Sequence, residues 1–134
     1  MNIEIIAVCE AATMSLGKLS VIGVCETIYT PIIPVTHRGL SLLLRLRFSH
    51  IEQGDHLIRL QIVNADGKLV APVVNRELII RFTGDELSQV HSVGIPLDDL
   101  TFTDYGEHLI DVAIDGRHTW SLPLYVKQMI PAAA

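Results

Sequence analysis

Apolar and polar residues alternate with a period of two along the whole chain, and no stretch sustains a helical period over three turns. The pattern predicts a predominantly β protein. Residues 2–11 read as a first strand, 13–18 as a turn around Gly17, and 19–29 as the returning strand of a hairpin. Pro31 and Pro34 end it, since neither carries a ladder donor and each restrains the residue before it. After a loop through His37, Arg38 and Gly39, one strand face carries Leu42, Leu44, Leu46 and Phe48, and the other carries Leu43, Arg45, Arg47 and Ser49. The first of these is the core face. Further strands are predicted over 56–63, 77–82 and 90–95, two more close the chain, and one helical turn is placed near 96–100. Seven or eight strands suit two packed sheets, so the expected fold is an all-β, two-sheet antiparallel β-sandwich. Residues 1–128 make up its single domain and 129–134 a short tail.

An internal echo refines this. Gly54-Asp55-His56-Leu57-Ile58-Arg59-Leu60-Gln61-Ile62 is matched by Gly106-Glu107-His108-Leu109-Ile110-Asp111-Val112-Ala113-Ile114, and each copy leads to an Asp-Gly pair, Asp66-Gly67 or Asp115-Gly116. His56, Ile58, Leu60 and Ile62 point inward in one copy, and His108, Ile110, Val112 and Ile114 in the other. Each histidine thus stands in phase with the core at the mouth of its strand. Asp104-Tyr105-Gly106-Glu107-His108 is similar to the Asp-x-Gly-x-Tyr corner of immunoglobulin-like sandwiches, with histidine in the tyrosine slot.

Parity sets the last hairpin. A plain two-residue turn at Asp115-Gly116 would put Val112 opposite Thr119 and leave Trp120, Leu122 and Leu124 on the solvent face. One extra residue, as a bulge or a longer loop involving Arg117, pairs Val112 with Trp120 and Ile110 with Leu122. The irregular form is expected.

Composition narrows the partners. The chain has 134 residues, 49% hydrophobic and 19% charged, enough for a sizeable core without metals or disulfides. A formal net charge of −5 offers no overall attraction to nucleic acid or to an anionic membrane. Residues 1–10 have no basic leader and carry Glu4 and Glu10, so no signal peptide is expected. The densest apolar run, 40–48, is interrupted by Ser41, Arg45 and Arg47, well short of the roughly 20 apolar residues of a spanning helix. Cys9 and Cys25 fit neither a zinc spacing nor a disulfide framework. Reduced thiols in the cytoplasm are expected, although a hairpin turning near Gly17 would bring the two almost opposite each other.

Sites of chemistry are sparse. His37, His50, His56, His91, His108 and His118 show no recognised ligand spacing, so no metal or cofactor is called for. Gly-x-Ser-x-Gly is absent, and the dispersed glycines form no phosphate loop. Asp98-Asp99, Asp85-Glu86 and Asp104 with Glu107 are acids in turns, where capping of backbone donors is the usual role. One candidate for anion or partner binding is basic: Arg45 and Arg47 share an outer face, and a hairpin closed through 49–55 would bring Arg59 beside them. Like charges side by side cost stability unless an acid such as Asp111 or Glu26, simple solvation, or a bound anion or partner offsets them.

The segments Cys9-Glu10-Ala11-Ala12, Gly17-Lys18-Leu19, Glu26-Thr27-Ile28-Tyr29, Leu44-Arg45-Leu46-Arg47-Phe48, Ala65-Asp66-Gly67-Lys68, Tyr105-Gly106-Glu107, Ala113-Ile114-Asp115-Gly116-Arg117 and Ser121-Leu122-Pro123-Leu124-Tyr125-Val126, with Pro31 and Pro34, resemble a bacterial family of small proteins of unknown function. The resemblance implies a bacterial, stand-alone domain and assigns no activity. Two function classes follow. The leading one is a non-enzymatic cytoplasmic interaction module, meeting a protein partner or a second copy through a face or an edge strand. The alternative is a small enzyme or ligand binder with an end pocket near His56, His108 and Asp104.

Overall fold

The computed structural model describes residues 1–98 and 100–130, with His118 and Thr119 followed in their backbone only. Asp99 of the acid pair and residues 131–134 of the expected tail lie outside the described residues. In chain order the strands are β1 (Asn2–Cys9), β2 (Ala11–Ser15), β3 (Lys18–Ile22), β4 (Thr27–Thr30), β5 (Val35–His37) and β6 (Leu40–Ser49). A 3-10 turn at His50–Glu52 leads to β7 (Gly54–Val63), β8 (Val74–Ile80), β9 (Ser88–Leu97), β10 (Leu100–Phe102), β11 (Gly106–Ile114) and β12 (Arg117–Gln128). The fold is all-β. No helix among the described residues is long and apolar enough to cross a membrane.

Two sheets carry the core. One has the order β1-β6-β9 and the other β4-β12-β11-β7-β8, while β2 with β3 and β5 with β10 form separate two-stranded sheets. The predicted core face of β6, Leu42 to Phe48, is fully buried and joins Ile58, Leu60 and Ile62 of β7 and Ile110, Val112 and Ile114 of β11 in a single cluster. Each such side chain contributes roughly 1.5–3 kcal/mol by leaving water, so these facing rows dominate the stability of the domain.

Several expectations are corrected. Twelve strands are present among the described residues, against seven or eight expected. Residues 19–29 are two strands, broken at Gly23 (φ 69), where a Cβ would lie 2.8 Å from the Glu10 side chain. β3 returns along β2, whereas β4 leaves to pair with β12, in parallel rather than antiparallel. β1 pairs with β6, so the first strand belongs to a sheet and not to the hairpin that follows it. Among the described residues of 96–100 no helical turn is seen: Pro96 and Leu97 end β9, and Leu100 begins β10. Cys9 and Leu43 are buried despite their outward phase.

The cysteines are free thiols. Glu10 N–H donates to the Gly23 carbonyl and Cys25 N–H to that of Val8, which makes Cys9 and Val24 a non-hydrogen-bonded pair. Cys25 is one residue out of phase with that pair, so the two thiols point to opposite faces. No cross-strand disulfide is formed.

The last hairpin has the expected register. Val112 pairs with Trp120 and Ile110 with Leu122, with a shift between Val112 and Ala113. The extra residue is Thr119, beyond the turn rather than at Arg117. Asp115 (φ 56) and Gly116 (φ 77) close it as a two-residue turn with both central residues left-handed.

Candidate functional site

β7 presents His56 as its first core-phased residue. His56 Nδ1 lies 2.6 Å from Asp115 Oδ2, and Nε2 lies 2.6 Å from the Glu52 carbonyl oxygen. The ring leans on Phe48, centroid to centroid 4.8 Å. Both partners are acceptors, so only the imidazolium, which donates from both nitrogens, satisfies them together. Burial opposes that charge, but the Asp115 carboxylate and the Glu52 carbonyl outweigh it and raise the His56 pKa. Burial likewise pushes the Asp115 carboxyl up, and the bonds from His56 and from the Leu57 N–H (2.9 Å) bring its pKa below the ordinary value. A histidine acting as a general base through an aspartate keeps its far nitrogen open to substrate. Here that nitrogen is taken by Glu52, and the arrangement is a latch tying the start of β7 to the β11–β12 turn.

Glu52 is itself held. Its pKa is lowered to about 2 by the Met1 ammonium and by the Ser49 N–H, which donates to Glu52 Oε1 at 2.9 Å.

His108 is only 2% exposed; its Nδ1 lies 3.1 Å from the Gly106 carbonyl oxygen, and its ring meets Phe102 edge-on at 5.0 Å. Asp104 accepts from Asn64 Nδ2 at 3.3 Å. The expected single pocket near His56, His108 and Asp104 is corrected by topology. β7 and β11 are antiparallel, Ile58 opposite Ile114 and Val63 opposite Leu109, so the two echoed strand starts lie at opposite ends of the sheet. The histidines are about 25 Å apart, at 3.3 Å per residue. Asp104 stands at the His108 end.

The basic set also divides. Arg45 and Arg47 lie on β6 beside a β1 bulge between Ile3 and Ile5. The bulge aims Glu4 at both arginines, which donate from Nε to its two carboxylate oxygens at 3.2 Å and 2.6 Å. Those bonds, Arg47's first, lower the Glu4 pKa. Arg47 Nη1 also donates to Ser88 Oγ at 2.8 Å. The neutralising acid is therefore Glu4, not Asp111 or Glu26. Arg59 is not beside them: β6 and β7 belong to different sheets, and Arg59 pairs with Ala113 and Asn75. Residues 49–55 cross between the sheets because the apolar rows of β6 and β7 meet across the core instead of side by side.

One surface was not singled out from the sequence. On the solvent face of the five-stranded sheet, Pro123 lies opposite Leu109, Leu109 opposite Val63, and Val63 opposite Leu69. The result is an unbroken apolar row across four chain segments, half-buried except for Leu69 at 54% exposure. Tyr125 follows Pro123 on the same face, opposite Glu107. The signal was present in Val63 and Leu109, apolar residues in the outward phase of their strands, but their neighbours in space come from pairing across the sheet.

Residues 4–127 match a family of unknown function, DUF6941. The chain belongs to this family. The match to DUF6941 spans both sheets, so it covers the latch, the Glu4 bridge and the apolar row alike. No curated protein and no solved structure matches the chain.

Proposed function

We propose that the chain is a non-enzymatic interaction domain, built as an immunoglobulin-like β-sandwich, that meets a protein partner through the solvent face of its five-stranded sheet. The apolar row Leu69–Val63–Leu109–Pro123 carries this reading, since contiguous apolar surface is typical of docking sites. The polar side chains that could have served chemistry are engaged elsewhere: His56 at both nitrogens, and Arg45 and Arg47 on Glu4. Strand order supports the immunoglobulin-like assignment. β1, β6 and β9 correspond to strands A, B and E, β7, β11 and β12 to C, F and G, and β8 to the additional strand of variable-type domains. His108 then sits near the start of strand F, where such domains carry their corner tyrosine. A bacterial cytoplasm is proposed with it, in keeping with two free thiols on opposite faces.

The test is capture from the native cell with the wild-type chain and with a Leu69→Glu/Leu109→Arg variant that remains folded by circular dichroism. A partner held by the first and lost by the second is the expected result. Identical sets of captured proteins would refute the face.

A further inference from the structure

The tip of the β2–β3 hairpin breaks a local rule. Leu16 and Gly17 are the central residues of its two-residue turn, at φ 51 and φ 73. Such a turn wants Asn or Asp at the first position, and a leucine held left-handed there is strained. Leu16 is also 97% exposed, so no contact within the chain offsets that strain. Met14 and Ile22 on the same hairpin are exposed as well, and Lys18 follows the turn. A strained apolar residue at the tip of a projecting hairpin is what a docking element looks like. Its acceptor must offer an apolar hollow with a negative rim.

This chain carries such a hollow. After Val63 bridges Leu69, and Val70 N–H donates to the Ile62 carbonyl, residues 71–73 leave the sheet edge and β8 resumes pairing only at Val74. The detour opens a cavity of about 240 Å³ between that edge and the end of β9. Its floor is Leu60, Ile62, Leu97 and Leu100, all buried, and Asp98 is the one charged residue lining it among the described residues. Pro72 and Pro96 also line it, and neither has an N–H to offer, which disfavours an added β-strand and suits an apolar side chain. Since a cavity of about 150 Å³ already holds benzene, a leucine side chain fits within this one.

We propose that the Leu16 tip of one copy docks in the Leu60/Ile62/Leu97/Asp98 cavity of a second copy, with Lys18 meeting Asp98. The contact joins two different surfaces of the chain, so copies add head to tail and growth does not stop at a dimer unless a ring closes. It is separate from the sheet face proposed above, and either can fail alone.

Sedimentation velocity of the full chain over a wide concentration range tests the assignment. Wild type is expected to assemble beyond dimer. Leu16→Asn, which places a favoured residue in the turn and so keeps the hairpin folded, weakens assembly roughly tenfold or more, the scale of losing one buried leucine. Asp98→Lys weakens it too. Mixed together at concentrations where neither assembles alone, the two variants form one-to-one pairs and nothing larger, because the first retains a sound cavity and the second a sound tip. A wild type that stays monomeric at every concentration overturns the proposal. So does undiminished assembly by Leu16→Asn, loss with Leu16→Asn but not with Asp98→Lys, or failure of the mixture to pair.

Discussion

His56 and Asp115 stand 59 residues apart in the chain, yet His56 Nδ1 and Asp115 Oδ2 are 2.6 Å apart, with the far ring nitrogen closed off by Glu52. The pair joins the strand start of one echoed unit to the Asp-Gly turn of the other. Its charge state therefore links pH to the seating of the β11–β12 turn.

Because the His56 pKa is raised on folding, its contribution to stability is fully present below the unfolded value, near 6.5, and is lost as pH rises through the folded value. Asp115 has the opposite sign: its pKa is lowered, so its contribution is present above the unfolded value, near 3.8, and is lost as pH falls through the folded value. The bond is strongest between these limits. Asp115→Asn retains a residue that tolerates φ 56, and removes the charge together with one of the two acceptor oxygens that hold His56 and the Leu57 N–H. Asp115 is 45% exposed on its side chain, so solvent screening holds the expected loss to about 1 kcal/mol or less near pH 6. Denaturant unfolding across pH, with the His56 ring titrated by NMR, should show the variant's His56 pKa falling. An unchanged titration would mean that Asp115 does not hold the proton.

Glu4→Gln removes the carboxylate shared by Arg45 and Arg47 while leaving the β1 bulge in place. Two guanidinium groups then face water on one strand. The expected outcome is a new, salt-sensitive affinity for inorganic phosphate, seen as NMR shifts at Arg45 and Arg47 that the wild type lacks. Equal shifts in both proteins would mean that the patch binds anions despite Glu4.

Leu16→Asn should stabilise the chain. The left-handed position costs a leucine about 1–2 kcal/mol, and Asn escapes much of that. The thermal midpoint is expected to rise by a few degrees for a gain of up to about 1 kcal/mol. A fall would show that Leu16 makes contacts within its own chain.

Gly23→Ala should do the reverse. Its φ of 69 is strained for any side chain, and the new Cβ would lie 2.8–2.9 Å from Glu10 Cβ, Cγ and Cδ. A loss of about 1–2 kcal/mol is expected in urea unfolding. Glu10→Gly in the same chain should recover the steric part and not the backbone part.

Alternation along the chain was enough for the all-β class, for the inward rows of β6, β7 and β11, and for the register of β12, because a side-chain period of two admits only one choice when one face is buried. It also placed His56 and His108 in phase with the core. Which strands lie side by side was decided by the tertiary structure, since period-two patterning says nothing about neighbours. That is why Arg59 parted from Arg45 and Arg47, why the two histidines went to opposite ends of one sheet, and why Glu4 became the acid between the arginines. The apolar row Leu69–Val63–Leu109–Pro123 exists only through pairing across three strands and a bridge. The bond from His56 to Asp115 has the same origin: each residue was legible as a core-phased histidine or a turn acid, and antiparallel pairing of the echoed units brought them within reach.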